Sequence, residues 1–490
     1  MASSFVRALG LSMISFLGIS MIFPGGSCCS TCGKHEDITR DVCIIGGGSS
    51  GTYAAVRLRD KGKSVVVIEQ DETLGGHTDT LIDPRTKKAI NFGVAIFDDL
   101  DITREYFTRL GIKYKDTFFG NDPGVKLYAN FQTGKIVDHK TSNMSAALTS
   151  YATQAMKYPE LEKGFIFSDP VPEDLVIPFS KFVEKYDIGD ALEIIYTYCQ
   201  GYGDLLERLT VYVLKTFDLA VLNDLKNGFL NPASGNNNEI YDKAMEIIGS
   251  DVLFKSRVED AERRKDGVKL TVKTPSGRKT IHAKKLIISI PPTLHNLRPF
   301  GLDENEKSIF GQFKTTGYYT SLVRVPGLPK FDSMTNYNPD TPYNLPKLPD
   351  IYWITPTIIP DVYDVKYGSP RALREEDVKK EIIRKLRPFQ DASAKEAEFV
   401  AWSSHTPFGA TVSRKAIESG FYKKLYFPAS SIIPTGQDLH STHITPGLLW
   451  EYTKNLVDTA GDLRFGHIVS FRFDITYPCP TFHDVSLGHL

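Results

Sequence analysis

The chain has 490 residues and a net charge of −1, with 41% hydrophobic and 24% charged residues. That length exceeds what one small core organises and predicts two domains of ordinary globular composition. A near-neutral chain without a basic stripe excludes nucleic-acid binding.

Residues 1–28 read as a leader. Arg7 supplies the positive charge, Ala8 to Phe23 is apolar, and Pro24-Gly25-Gly26-Ser27 breaks any helix before small residues where a peptidase cuts. The apolar stretch is shorter than the ~20 residues of a membrane span. No other run approaches that length, so no stable membrane span is expected in the mature chain. A cleaved signal for the secretory route is the first reading, leading to secretion or to the lumen of the endoplasmic reticulum or vacuole. An uncleaved anchor is the second. Asn143-Met-Ser145 is a glycosylation sequon, usable only on that route. Three of the six cysteines, Cys28, Cys29 and Cys32, crowd the expected cleavage region; Cys43 lies inside the first strand, and Cys199 and Cys479 are scattered. No pair of histidines or cysteines completes Cys29-x-x-Cys32, so no metal site is expected.

The most informative stretch runs from Asp41 to Glu69. Val42 to Ile45 has the length and β-branching of a buried parallel strand. It stops at Gly46-x-Gly48-x-x-Gly51, which opens a helix carrying Ser50, Ala54, Ala55, Val56 and Leu58; Ser64 to Ile68 is a second strand, ending at Glu69. Strand, glycine turn, helix, strand and acid follow in the order a dinucleotide site needs. Gly46 permits the tight turn, Gly48 lets backbone approach a pyrophosphate, and Gly51 lets helix and strand pack closely. The helix N-terminus offers unpaired N–H groups to the phosphates, and Glu69 can accept from a ribose. Leu74-Gly75-Gly76-His77 adds backbone donors shortly after the acid. That spacing favours FAD over NAD.

Asn91-Phe-Gly93 is either a loop passing a flavin ring or a plain strand end. Residues 98–230 are helical and aromatic, and Leu205 to Leu225 has the spacing of a core-facing helix. Glu239 to Ile248 is a helix ending at Gly249. Strands then run through Val258, Val268 to Val272 and Lys285 to Pro292, as a meander that returns the chain to the nucleotide domain. A helix is expected over Arg371 to Lys385, a strand over Glu398 to Trp402, and a further helix from Pro446. Gly436 would let backbone pass close to the cofactor. The predicted fold class is α/β: a Rossmann-type FAD-binding domain, with parallel sheet and β-meander, interleaved with a mixed α+β substrate domain. The FAD-binding parts are 39–97, 231–295 and 397–458, the substrate parts 98–230 and 296–396, and residues 459–490 form a tail without an assigned role.

Taken together these residues resemble the flavin-containing amine oxidase superfamily, and within it the fungal beta-cyclopiazonate dehydrogenase family. Gly46-Gly-Gly-Ser-Ser-Gly51, Leu74-Gly-Gly-His77, Asn91-Phe-Gly-Val94, Pro172-Glu-Asp-Leu175, Ser404-His-Thr-Pro407 and Leu448-Leu-Trp450 carry the likeness. It implies an FAD enzyme of fungal secondary metabolism that takes hydride from a carbon beside nitrogen or an aromatic ring, sometimes with ring closure, dioxygen being the acceptor. It also implies that Gly75, Gly76 and His77 flank phosphates and flavin, that Val258 meets adenine through its backbone, and that Gly436 borders the ring. His77 stands where the superfamily usually has arginine, and Gln437 where alanine is common.

His77, or else His405, could tether the flavin through a covalent bond; the plainer alternative is a hydrogen-bonded histidine. No catalytic side chain is assigned. The substrate expected is a nitrogen-containing small molecule, an indole alkaloid or tetramic acid. The other readings are an NADPH-dependent FAD monooxygenase, against which no second glycine fingerprint is found, and a catalytically silent flavin-binding protein.

Overall fold

The computed structural model describes residues 37–118, 124–139, 143–264, 266–426 and 432–434. The leader, Gly436, Gln437, the expected helix at Pro446 and the tail lie outside these residues. Two large sheets organise the rest.

The first sheet starts with strand Asp37–Ile45, crosses through helix Ser49–Asp60 and returns as Val65–Ile68. The two strands pair in parallel from Val42↔Val65 to Ile45↔Ile68, and these residues are all buried. A parallel sheet covered on both faces has no polar side to alternate with, which is why both strands read as unbroken Val and Ile. Val252–Leu253 adds beyond the second strand, and Gly277–Ile288 lies parallel to the first on its other side. Ile432–Pro434 extends the sheet alongside Gly277–Ile288. Arg257–Arg264, Gly267–Thr274 and Gly277–Ile288 form the antiparallel meander. Its last strand is long enough to serve twice, pairing near its start with the meander and further on with Asp37–Ile45.

The second sheet is centred on Lys314–Arg324, with Glu398–Ser404 on one side and Val362–Ser369, Asp350–Pro356, Ser333–Asn336, Lys126–Asn130 and Lys135–Ile136 in succession on the other. Helix Glu375–Leu386 covers it, burying Val378, Ile382 and Leu386 against Val323, Ile354 and Val365. Short helices between Met144 and Asn227 pack Phe182, Leu192, Val211 and Phe217 into the same apolar cluster as Cys43, Ile45, Val66 and Ile68 of the first sheet.

Two segments sit elsewhere than the sequence suggests. Helix Asp101–Arg109, expected with the substrate domain, buries Ile102, Tyr106 and Phe107 in one cluster with Ile44, Tyr53 and Val56 of the nucleotide layer. The rings of Tyr53 and Tyr106 meet edge to face 4.8 Å apart. Strand Glu398–Ser404, expected to begin the third FAD-binding part, pairs with Lys314–Arg324 from Arg324↔Glu398 to Tyr319↔Ser404 in the second sheet. No helix among the described residues is long and apolar enough to cross a membrane.

Candidate cofactor and active site

The glycine turn is built by the strand before it and the hydroxyl beside it. Gly46 N–H donates to the Ile68 carbonyl at 2.9 Å, and Gly46 has φ +100°, a conformation that L side chains avoid. Ser289, just past the meander's last strand, donates its hydroxyl to the carbonyls of Ile45 (2.8 Å) and Gly46 (3.0 Å). A Cβ on Gly51 would lie 2.0 Å from the Gly46 carbonyl oxygen and 2.6 Å from Ser289 Oγ. The helix and turn therefore touch where only hydrogen fits.

Gly48 caps helix Ser49–Asp60 without a side-chain cap bond, and no acidic residue occupies the first turn. The N-terminal dipole is thus neither capped nor neutralised by the helix itself. Opposite stands the second glycine pair: Gly75 N–H donates to the Gly47 carbonyl at 2.9 Å, and Gly48 and Gly75 form a parallel bridge. A Cβ placed on Gly48 would meet nothing closer than the Gly76 Cα at 3.7 Å. Two stretches of bare backbone and an open helix end form a cradle that fits a pyrophosphate. Ser50 is buried within that helix's first turn.

Glu69 ends the second strand with its carboxylate fixed by two amides, accepting from Gly47 N–H at 2.5 Å and Asp71 N–H at 2.8 Å. Burial pushes its pKa up, and these backbone donors pull against that rise. Each carboxylate oxygen keeps a second lone pair for a ribose hydroxyl. Val258 lies in the meander, paired with Val272.

Beyond the glycine pair the chain enters an imidazole cluster. His77 and His405 stack with ring centroids 4.1 Å apart, and Phe408 stands 5.9 Å from His77. His405 is wholly buried, and its Nε2 lies 2.7 Å from Asp79 Oδ2. Asn91-Phe-Gly93 closes the end of a small hairpin strand, Ala89–Asn91, and Gly93 packs so tightly that a Cβ would come 2.1 Å from the His77 carbonyl oxygen. Lys366, buried on the second sheet, donates to the Phe92 carbonyl and pairs with Asp364 at 3.0 Å. Burial raises the pKa of Asp364, while Lys366 and His405 lower it.

The structure thus joins Gly46, Gly48, Ser50, Gly51, Glu69, Gly75, Gly76 and His77 along one edge of the first sheet. Sequence reasoning missed Ser289 and Asp79, and gave Asp364 and Lys366 no role. Ser289 had a signal, a hydroxyl at the end of an apolar strand just before two prolines. The others are joined only by the meeting of the two sheets. Cys43 and Cys199 are buried free thiols whose pKa values burial raises. No metal-binding cluster of His, Cys, Asp and Glu occurs among the described residues.

Comparison with known proteins fits this arrangement. Residues 44–110 match the NAD(P)-binding Rossmann-like domain. The FAD-dependent oxidoreductase oblC of Cochliobolus heterostrophus is 38% identical over 452 residues, 86% of this chain and 91% of that protein. Beta-cyclopiazonate dehydrogenase of Aspergillus flavus is 34% identical over 453 residues, 91% of this chain and 98% of the relative. Among solved structures, putrescine oxidase bound to putrescine shares the fold, with a TM-score of 0.60 at 16% identity over 86% of this chain and 99% of its own. The chain belongs to the fungal FAD-dependent oxidoreductases that include beta-cyclopiazonate dehydrogenase, and is itself an FAD-dependent oxidoreductase with an amine oxidase-like fold.

Proposed function

We propose that this oxidoreductase removes hydride from a nitrogen-containing metabolite, at a carbon beside nitrogen or an aromatic ring, and that dioxygen is the final acceptor. An indole alkaloid or tetramic acid is the substrate class, supported by the name of the Aspergillus relative. The observation that carries the reading is the open, uncapped helix end facing the Gly75-Gly76 backbone across Gly48. In this proposal Gly46, Gly48, Ser50 and Gly51 hold the pyrophosphate, Glu69 the ribose, and Val258 the adenine through its backbone; Gly436 borders the ring. When bound, FAD accepts the hydride and passes its two electrons on. Hydride loss leaves an electron-poor carbon, and a nucleophilic atom of the same molecule attacking it closes a ring. The chain's own task is to bind, orient and exclude water.

The cofactor tether belongs to the same proposal. His77 is partly exposed beside the glycine pair and backed by the buried ring of His405. His77 would hold the flavin by a bond from a ring nitrogen to its methyl carbon, the N–H and C–H hydrogens leaving as two protons and two electrons that convert one dioxygen to hydrogen peroxide. His405, enclosed and held by Asp79, is the second candidate. Residues 1–28 would send the chain into the secretory route, where Asn143, exposed at a helix N-terminus, would be open to glycosylation.

The test is an absorption spectrum of the purified protein titrated with candidate metabolites under argon, then exposed to air. Bleaching of the flavin band followed by peroxide on reoxidation is expected. A folded protein that is colourless and takes up no FAD would end the proposal, and consumption of NADPH would replace it with a monooxygenase.

A further inference from the structure

Arg208 stands between the short helical turn Leu205–Glu207 and helix Thr210–Thr216. Among the described residues its guanidinium has one side-chain partner, the Thr411 hydroxyl, which accepts from Nη1 at a long 3.3 Å. Its Nε is buried with no acceptor among the described residues, none of whose carboxylates forms an ion pair with it. Arg263, also partly buried, is handled differently: both its Nη groups donate to Glu306 at 2.8 Å. The groups around Arg208 are the buried tyrosines Tyr202, Tyr212 and Tyr352, together with the exposed Asp204 at longer range. Burial lowers the Arg208 pKa, and Asp204 only partly opposes this. Burying part of a cation with only a distant, exposed carboxylate to balance it is unfavourable, and a fold keeps such a group where something else supplies the charge.

A chain of buried neighbours links the guanidinium to the residues beside the cofactor cradle. Thr411 ends strand Phe408–Thr411, whose Phe408 ring lies 5.9 Å from His77 and 5.1 Å from Tyr318. Phe408 pairs with Thr316, and the Thr316 hydroxyl donates to the Gly201 carbonyl. Between Thr316 and Arg208 stands Gly203, where a Cβ would come 3.0 Å from Nη2 and 3.3 Å from Thr316 Cγ2. His77, Phe408, Thr316, Gly203 and Arg208 are thus successive neighbours from the cradle to the guanidinium.

We infer that Arg208 anchors a planar oxyanion of the substrate, a carboxylate or an ionised enol, and so selects anionic substrates over neutral ones. The fork of Nε and Nη donors matches two oxygens at once, which a lysine ammonium cannot do. The inference rests on the reading of this site as that of the oxidoreductase, and it names the charge of the molecule that enters.

Calorimetric titration of the flavin-loaded full chain with indole-3-carboxylate and with its neutral isostere indole-3-carboxamide tests it. The wild type is expected to bind the carboxylate about 10-fold more tightly than the amide. Arg208→Gln should hold both equally, and Arg208→Lys should recover part of the preference, with flavin content unchanged in each. Equal binding of the two probes by the wild type, or no heat from either at roughly 10 mM, overturns the inference, as does an Arg208→Gln protein that still prefers the carboxylate. Should Arg208→Gln fail to fold, Arg208→Lys decides: full retention of the wild-type preference overturns the fork. A yellow protein without charge preference sinks this inference and spares the proposed oxidation. A folded protein that takes up no FAD overturns both.

Discussion

His77 and His405 lie face to face, their planes 10° from parallel, although 326 residues separate His405 from the Asp79 carboxylate that orients it. The strand before His77 belongs to the first sheet and the strand before His405 to the second, so the pair forms only when both sheets meet. Under the proposed tether the wild type should keep its yellow colour in the acid pellet and His77→Ala should release all of it, and a colourless wild-type pellet would end the tether. His405→Ala removes a fully buried ring and leaves Asp79 unpartnered. Its urea midpoint should report a loss of about 2–4 kcal/mol, with the tether still detectable at His77. Colour retained in His77→Ala and lost in His405→Ala would reverse the assignment.

Gly51 and Gly48 share one motif but should fail in different ways. Alanine at Gly51 sets a methyl 2.0 Å from the Gly46 carbonyl, which cannot retreat because Gly46 N–H is bonded to Ile68. A loss above about 3 kcal/mol, or no soluble protein, is expected. Gly48 has φ −68° and open space where its Cβ would go. Gly48→Ala should therefore fold within about 1 kcal/mol of the wild type and lose FAD, because the methyl fills the cradle. Thermal unfolding and flavin content separate the two. A Gly48→Ala protein with full flavin would place the pyrophosphate elsewhere.

This contrast marks how far the sequence could be read. Turn, helix, second strand and acid fall between Asp41 and Glu69, so their chemistry is set by neighbours in the chain. The meander was legible for the same reason, each strand being adjacent to the next. Glu398–Ser404 was misplaced because its partner, Lys314–Arg324, lies far back in the chain and nothing in seven residues of strand names it. Asp101–Arg109 was assigned to the wrong layer because an amphipathic helix shows that it has a buried face, not which sheet that face meets. Arg208 has no motif; its interest lies in what does not surround it.

The second sheet is pinned by a buried ion pair. Lys385 Nζ lies 2.9 Å from Asp350 Oδ1, and the two side chains are 4% and 0% exposed, so removing the lysine leaves a buried carboxylate without its counter-charge. Lys385→Met should cost about 3–5 kcal/mol near pH 8. Burial raises the Asp350 pKa and Lys385 lowers it, so deleting the lysine raises it further. The folded variant then holds a proton that the unfolded chain has lost, and its stability falls as pH rises. Denaturation at pH 5 and pH 8 should show the smaller deficit at pH 5. A deficit independent of pH would mean that Lys385 acts by packing alone.

Asp224 carries a similar cost in the unmodified protein. It is 1% exposed, accepts from the Asp99 N–H at 2.8 Å, and burial lifts its pKa to about 6, with Asp99 and Asp218 adding like charge. An unfolded aspartate titrates near ~3.9. Between those values the folded chain binds the proton and the unfolded chain does not. This group therefore favours folding at the acid end of the window and opposes it progressively as pH rises through 6. Asparagine keeps an oxygen for the Asp99 amide and carries no charge. Asp224→Asn should gain about 1 kcal/mol at pH 7.5, with the gain shrinking toward zero near pH 4. Urea midpoints across that range decide it, since a variant less stable than the wild type at every pH would show that both carboxylate oxygens are needed where they stand.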